Sequence, residues 1–425
     1  MFDGRLIDLA LDLSFLYPLF MSYLWMIGGI YYFYHWERKF GPSHRVPPRL
    51  ARYPSVSLVV PCHNEGINVR ETIEALLAQD YPEFDVIAIN DASSDETGPA
   101  LDTLAAQHPR LRVIHFPTNQ GKAAGLRMGA LVSPHEFLIC IDGDALLEPT
   151  AVHWIMWHFV NGPRVGAVTG NPRIRSRSTL LGRIQVGEFS SIIGIIKRAQ
   201  RIYGHVFTVS GVVAGFRKAA LHRVGYWSID MVTEDIDISW KLQLDHWAVR
   251  YEPNALCWIL APETLRGLWR QRVRWAQGGA EVLLKYAGDL LRWQKRRMWL
   301  VYLELLFSVL WAHMMVVIIA LSVVGAIVPL PEAWRVGTLV PQWTGVVLAF
   351  TCLLQFTVAL VIDSRYEPGI GRYYYWLIWY PLAYWLLSIF TAVAGMFRAI
   401  VRRRGRKATW VSPDRGVRYP ERKAA

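Results

Sequence analysis

Four long stretches of this chain carry no charged side chain: residues 13–34, 305–331, 336–362 and 373–397. At ~1.5 Å of rise per helical residue, each can cross a hydrocarbon core ~30 Å thick. The long interval between the first and second stretches must then fold in water, as one domain held between membrane segments. Hydrophobic residues make up 53% of the chain, with 19 Trp and 19 Tyr. That content suits spanning helices with aromatic belts at the interface. A secretory leader would place basic residues ahead of the first apolar run. Asp3, Asp8 and Asp12 stand there instead, offset only by Arg5.

Arg38, Lys39, Arg45, Arg49 and Arg52 follow the first run. The positive-inside rule therefore sets the N-terminus outside and the next domain in the cytoplasm. Three crossings after that domain would leave the tail outside, yet Arg398, Arg402, Arg403, Arg404, Arg406 and Lys407 argue for a cytoplasmic tail. Pro381 and the crowd of Tyr and Trp in the last run favour a re-entrant or interfacial hairpin there, with the tail inside.

Lys and Arg total 46 against 34 Asp and Glu, a net charge of +12. Such a balance suits nucleic acid, anionic lipid or phosphate-bearing substrates. Nucleic acid is disfavoured because the basic residues flank hydrophobic runs instead of lining a face with stacking aromatics. The four cysteines, Cys62, Cys140, Cys257 and Cys352, show no CxxC spacing. They predict buried thiols in a reducing compartment and no disulfide framework.

After a Pro-containing linker at 41–54, short apolar runs alternate with helical patterns. Strands are expected at 55–60, 86–89, 111–116 and 137–141, and helices at 69–79, 96–106 and 122–131. Continuous apolar strands alternating with helices indicate an α/β domain with a mostly parallel sheet and helices on both faces. Ligands of such sheets bind beyond the carboxyl ends of the strands. Four polar endings fall there: Cys62-His63-Asn64-Glu65, Asn90-Asp91-Ala92-Ser93, Asn119-Gln120-Gly121-Lys122 and Asp142-Gly143-Asp144.

Asp142 and Asp144 fit a site for Mg2+ or Mn2+, which prefers carboxylates together with substrate phosphates. Asp144 is the principal candidate ligand, and Asp142 contacts metal or nucleotide. The bland alternative is a solvated turn. Asp91 suits a nucleoside contact or an Asx turn. Gly121 allows close backbone approach, and Lys122 offers a point charge for phosphate. His63 reads as structural. Thr233-Glu234-Asp235 opens a helix expected near Ile236; acidic residues in a first turn favour the helix dipole, or else supply a general base. Gln271-Arg272-Val273-Arg274-Trp275 lies on an amphipathic stretch at 263–286, suited to a membrane interface.

As a set, Asp91, Asp142/Asp144, Asp235 and Gln271-Arg272-Val273-Arg274-Trp275 resemble the processive, inverting family 2 glycosyltransferases, which include cellulose, chitin and hyaluronan synthases. The strings at 165–180, 184–194, 233–244, 274–282 and 410–416 look closer still to the bacterial branch that polymerises N-acetylglucosamine through β-1,6 linkages. The resemblance implies a GT-A fold with transmembrane and interfacial helices, UDP-GlcNAc as donor and a growing polysaccharide as acceptor. It implies Asp235 as the base, with Glu65, Asp91, Lys122, Asp142, Glu234, Gln271, Arg272, Arg274 and Trp275 at the substrates. It further implies a multi-pass protein of the bacterial inner membrane, a small two-helix membrane subunit and activation by cyclic di-GMP. A chitin- or hyaluronan-like synthase and a nonprocessive lipid-linked transferase are the alternatives. The expected organisation is a membrane helix and linker (1–52), the transferase domain (53–262), interfacial helices (263–297), membrane segments (298–400) and a basic tail (401–425).

Overall fold

Largely apolar runs make the first strands. β1 (Val56–Cys62), β2 (Phe84–Asp91), β3 (Leu111–Phe116) and β4 (Phe137–Ile141) pair in parallel in the order β3-β2-β1-β4. Every residue of β1 and β4 is buried, as a parallel sheet covered on both faces requires. The intervening helices, Val69–Leu77, Thr97–Gln107 and Lys122–Val132, begin and end close to the expected positions. This structure is a computed structural model that describes residues 5–41, 43–336, 343–402, 405, 407 and 408. The string at 410–416 and the basic residues Arg403, Arg404 and Arg406 lie outside the described residues.

Past β4 the sheet changes direction. β5 (Leu146–Leu147), β6 (Val165–Ile174), β7 (Val213–Arg217) and β8 (Ala248–Ile259) complete eight strands in the order β3-β2-β1-β4-β7-β6-β8-β5. β7 runs antiparallel to both β4 and β6, β5 is antiparallel to β8, and β6 is parallel to β8. The antiparallel β7 matters for the site. It brings the residues that precede it to the carboxyl end of β4, where the Asp142 N–H donates to the Val212 carbonyl at 3.2 Å.

The chain groups into two compact units. The sheet unit comprises 41–189, 208–271 and 405–425, and the helical unit comprises 1–40, 190–207 and 272–404. In the sheet unit the linker after the first membrane run is tied down. Thr150 Oγ1 and Trp154 Nε1 both donate to the His44 carbonyl, at 3.1 and 2.6 Å.

Among the described residues, the helical unit holds four helices long and apolar enough to cross a membrane, at 7–39, 293–327, 343–363 and 383–401. Pro381 opens the helix Tyr380–Val401, in the first turn, where a missing N–H is tolerated. The expected hairpin is thus replaced by a short helix, Tyr374–Leu377, followed by one continuous helix. Buried charge inside this unit is paired locally. Arg198 donates to Glu37 at 2.6 Å and to Asp363 at 2.9 Å, and the Tyr366 hydroxyl donates to Glu37 at 2.5 Å. A charge this deep persists only when paired and hydrogen-bonded.

Candidate active site

The site begins with a turn built by a buried carboxylate. Asp91, at the end of β2, accepts the Gln120 N–H on Oδ1 at 2.6 Å and the Gly121 N–H on Oδ2 at 2.8 Å. Gly121 has φ of 86°, a backbone state that favours glycine. A Cβ at Gly121 would also collide with the Ala408 carbonyl oxygen. The tail meets this turn elsewhere as well. Lys407 donates to the Gln120 side chain, and the Ala408 N–H donates to the Ile229 carbonyl at 3.0 Å. Ala92, directly after Asp91, has φ of 51°, a strained state of the kind that gathers at functional sites. His63 bonds the Asp91 carbonyl through Nδ1 at 2.7 Å, in line with a structural role.

Gly121 caps the helix that Lys122 opens. The Lys122 ammonium reaches Asp142 Oδ1 at 2.5 Å, the Gly211 carbonyl at 2.9 Å and Glu234 Oε1 at 3.2 Å. Burial alone would lower its pKa, but the charges of Asp142 and Glu234 outweigh burial and hold it above the ordinary lysine value. Asp144 shows the opposite imbalance. Burial, then the negative charge of Asp142, raises its pKa to about 7. Glu65 is buried nearby at the end of β1, its N–H donating to Thr97 Oγ1 at 2.7 Å.

Among the described residues no three His, Cys, Asp or Glu side chains gather as a ready metal cage. Mg2+ and Mn2+ do not need one, since one or two carboxylates plus substrate phosphates suffice. Asp142 and Asp144 supply such a pair, and the raised pKa of Asp144 marks a carboxylate that an added cation would stabilise.

The helix Glu234–Leu244 starts at the acidic triplet, two residues before the expected Ile236. Asp235 is held at both oxygens: Oδ1 accepts the Ile236 N–H at 2.9 Å, and Oδ2 accepts the Gly211 N–H at 3.2 Å. Ser239 Oγ donates to the Asp235 carbonyl at 2.6 Å and accepts the Val209 N–H at 2.8 Å. The Ser210 N–H donates to Thr169 Oγ1 at 2.7 Å. A Cβ on Gly211 would lie 2.9 Å from Asp235 Oδ2, closer than real contacts allow. Gly211, Ser239 and Thr169 were not singled out from the sequence. Their only signal was the dipeptide Ser210-Gly211 just ahead of an apolar strand.

Asp91, Lys122, Asp142, Asp144, Glu234 and Asp235 thus converge at one end of the sheet. The remaining motif lies on the long helix Leu265–Leu290. Gln271 belongs to the sheet unit and Arg272, Arg274 and Trp275 to the helical unit. The Arg272 guanidinium stacks over the Trp275 ring at 4.2 Å, a cation–π contact that fixes both side chains. All four cysteines are buried and free, as expected.

Residues 54–278 match the family described as glycosyltransferase like family 2. The chain belongs to that family. Its members' name gives the activity, so this protein is a glycosyltransferase, with a mixed sheet of the GT-A kind and membrane helices. It is 40% identical to the poly-β-1,6-N-acetyl-D-glucosamine synthase of Staphylococcus epidermidis over 400 residues, covering 94% of this chain and 97% of that protein. It is 36% identical to the synthase of the same name from Staphylococcus aureus over the same shares of both chains. Its fold is similar to a mannosyltransferase from Pyrobaculum calidifontis solved with GDP-Man and Mn2+, with a TM-score of 0.60 and 19% identity. That likeness covers 90% of this chain and 98% of the other.

Proposed function

We propose that this glycosyltransferase is processive and inverting, and that it adds N-acetylglucosamine from UDP-GlcNAc to the 6-hydroxyl of a growing β-1,6-linked chain. One observation carries the reading: the Lys122 ammonium joins Asp142 on the metal side to Glu234, the neighbour of the base. Donor-phosphate and proton-accepting groups therefore stand within one small site. The identity to the staphylococcal synthases, over nearly the whole of both chains, supports the donor and the linkage.

A sugar hydroxyl is a poor nucleophile and needs a base within hydrogen-bond reach. Asp235 is that base, held by the N–H groups of Gly211 and Ile236. The acceptor oxygen bonds to the anomeric carbon as its proton passes to Asp235. The anomeric carbon's bond to the diphosphate breaks, and UDP leaves with the electron pair. A Mg2+ or Mn2+ ion held by Asp142 and Asp144 would neutralise charge on that diphosphate. Asp91 shapes the Gln120-Gly121 turn where the nucleotide lies, and Glu65 backs the metal side. Gln271, Arg272, Arg274 and Trp275 serve the diphosphate and the acceptor sugar. Holding both substrates in line supplies much of the rate.

The basic residues after the first apolar run support a bacterial inner-membrane protein with a cytoplasmic transferase domain. The tail belongs on the same side, because the Ala408 N–H bonds the Ile229 carbonyl of the sheet unit. The chain between the two then crosses an even number of times, so one of the three C-terminal candidate helices lies along the interface instead of crossing. A cysteine added after Ala425 should be labelled only once the inner face is opened; labelling from outside would reject this topology. A small two-helix membrane subunit and cyclic di-GMP as activator complete the proposal, on the family resemblance alone.

Radiolabelled UDP-GlcNAc given to the purified protein, alone and with its small subunit, tests the function. A high-mass polymer digested by a β-1,6-specific hexosaminidase is expected. A resistant polymer would overturn the linkage, and a short lipid-linked product would overturn processivity.

A further inference from the structure

We infer that Lys122 is the built-in counter-ion of this acidic site, holding Asp142 and Glu234 together until a divalent metal takes Asp142 from it. The inference rests on reading Asp142 and Asp144 as the metal ligands. A lysine ammonium has three N–H donors and no acceptor. Here the nitrogen donates to the Gly211 carbonyl at 2.9 Å and forms ion pairs with Asp142 Oδ1 at 2.5 Å and Glu234 Oε1 at 3.2 Å. The three acceptors come from the end of β4, the loop before β7 and the first turn of the helix Glu234–Leu244. One cation thus spans the metal side and the base side. While these contacts hold, the charge of the ammonium is directed at Asp142 and Glu234 instead of at a phosphate.

The charges explain why the arrangement can change. Asp142, Asp144, Glu234 and Asp235 crowd together, and Lys122 is the cation that contacts Asp142 and Glu234. A divalent ion at Asp142 competes directly for the oxygen that Lys122 holds. As Asp142 turns its charge to the metal, its grip on Lys122 weakens and an N–H becomes available to the arriving diphosphate. Lys122 is therefore a positioning residue as well as a phosphate contact, and it opposes metal binding when no donor is present. A lysine that only orders the carboxylates would do the reverse, and its loss would weaken the metal site.

The test is Mn2+ binding to the full-length, donor-free protein, read by electron paramagnetic resonance. In Lys122→Gln, Mn2+ should bind at least about tenfold more tightly, because a unit positive charge a few Å away has been removed. Lys122→Arg should stay near wild type. Lys122→Cys should bind tightly and return toward wild type after aminoethylation in the same sample, which separates charge from folding; the four native cysteines are buried. Unchanged or weaker Mn2+ binding in Lys122→Gln would overturn the inference. So would wild-type binding in Asp144→Asn, which would show that the metal lies elsewhere. Because the titration uses Mn2+ alone, its outcome is independent of whether UDP-GlcNAc yields polymer.

Discussion

The protein contains two clusters in which one cation sits between two carboxylates, and they differ in openness. In the helical unit, Arg198 lies between Glu37 and Asp363, with side-chain exposures of 0%, 1% and 0%. In the sheet unit, Lys122 lies between Asp142 and Glu234, with exposures of 17%, 24% and 10%. Arginine's planar fork suits a closed, permanent pairing, whereas the lysine ammonium is a compact charge on a flexible stem. The Arg198 cluster is shut, with each buried charge paired. The Lys122 cluster is partly open, next to a buried carboxylate whose pKa stands near 7. Similar charge counts are thus closed off in one place and left partly open in the other, as the proposed chemistry requires.

The largest expected effect on folding lies in the closed cluster. Arg198→Met would leave Glu37 and Asp363 buried without their cation and should cost about 3–5 kcal/mol. Thermal unfolding in detergent would show it, beside only a small shift for Lys122→Gln. Equal losses in the two variants would erase the distinction between the clusters. Next comes the turn that aims Lys122. Gly121→Ala places a side chain in a left-handed position against the Ala408 carbonyl, at about 1–3 kcal/mol of strain. The KM for UDP-GlcNAc should rise by about tenfold or more, and an unchanged KM would show that the turn has slack. The smallest effect is expected at Ser239, which braces the proposed base, Asp235, through its backbone carbonyl. Ser239→Ala removes neutral hydrogen bonds worth about 0.5–1.5 kcal/mol each, so kcat should fall severalfold with little change in KM. A wild-type kcat would mean that Asp235 is positioned by Gly211 and Ile236 alone.

Much of this was legible in the chain itself, for physical reasons that apply unevenly. β1 and β4 are apolar runs buried along their whole length, and the polar residues that follow them stand out for that reason. Asp91, Lys122, Asp142 and Asp144 are candidates on that ground. β6 and β8 carry Asn171, Arg173, Glu252 and Asn254 inside their runs, so periodicity does not mark them as strands. The reversal at β7 is a tertiary event with no local signature. Gly211 joins Asp235 across 24 residues of chain, and Ser210 joins Thr169 across 41. Arg198 finds Glu37 and Asp363 across 161 and 165 residues. Partners at such separations follow from the fold and leave no pattern in a single sequence. The last apolar run shows the converse. Pro381 reads as a helix breaker, but at the start of a helix it interrupts nothing.

The most direct test compares wild-type protein with Asp235→Asn, both supplied with UDP-GlcNAc and Mn2+ or Mg2+, with polymer formation and UDP binding measured on the same preparations. The account predicts high-mass N-acetylglucosamine polymer from wild type, a rate lower by about 10³-fold in the variant, and UDP binding retained by both. Polymer made by Asp235→Asn at a rate near wild type would contradict it.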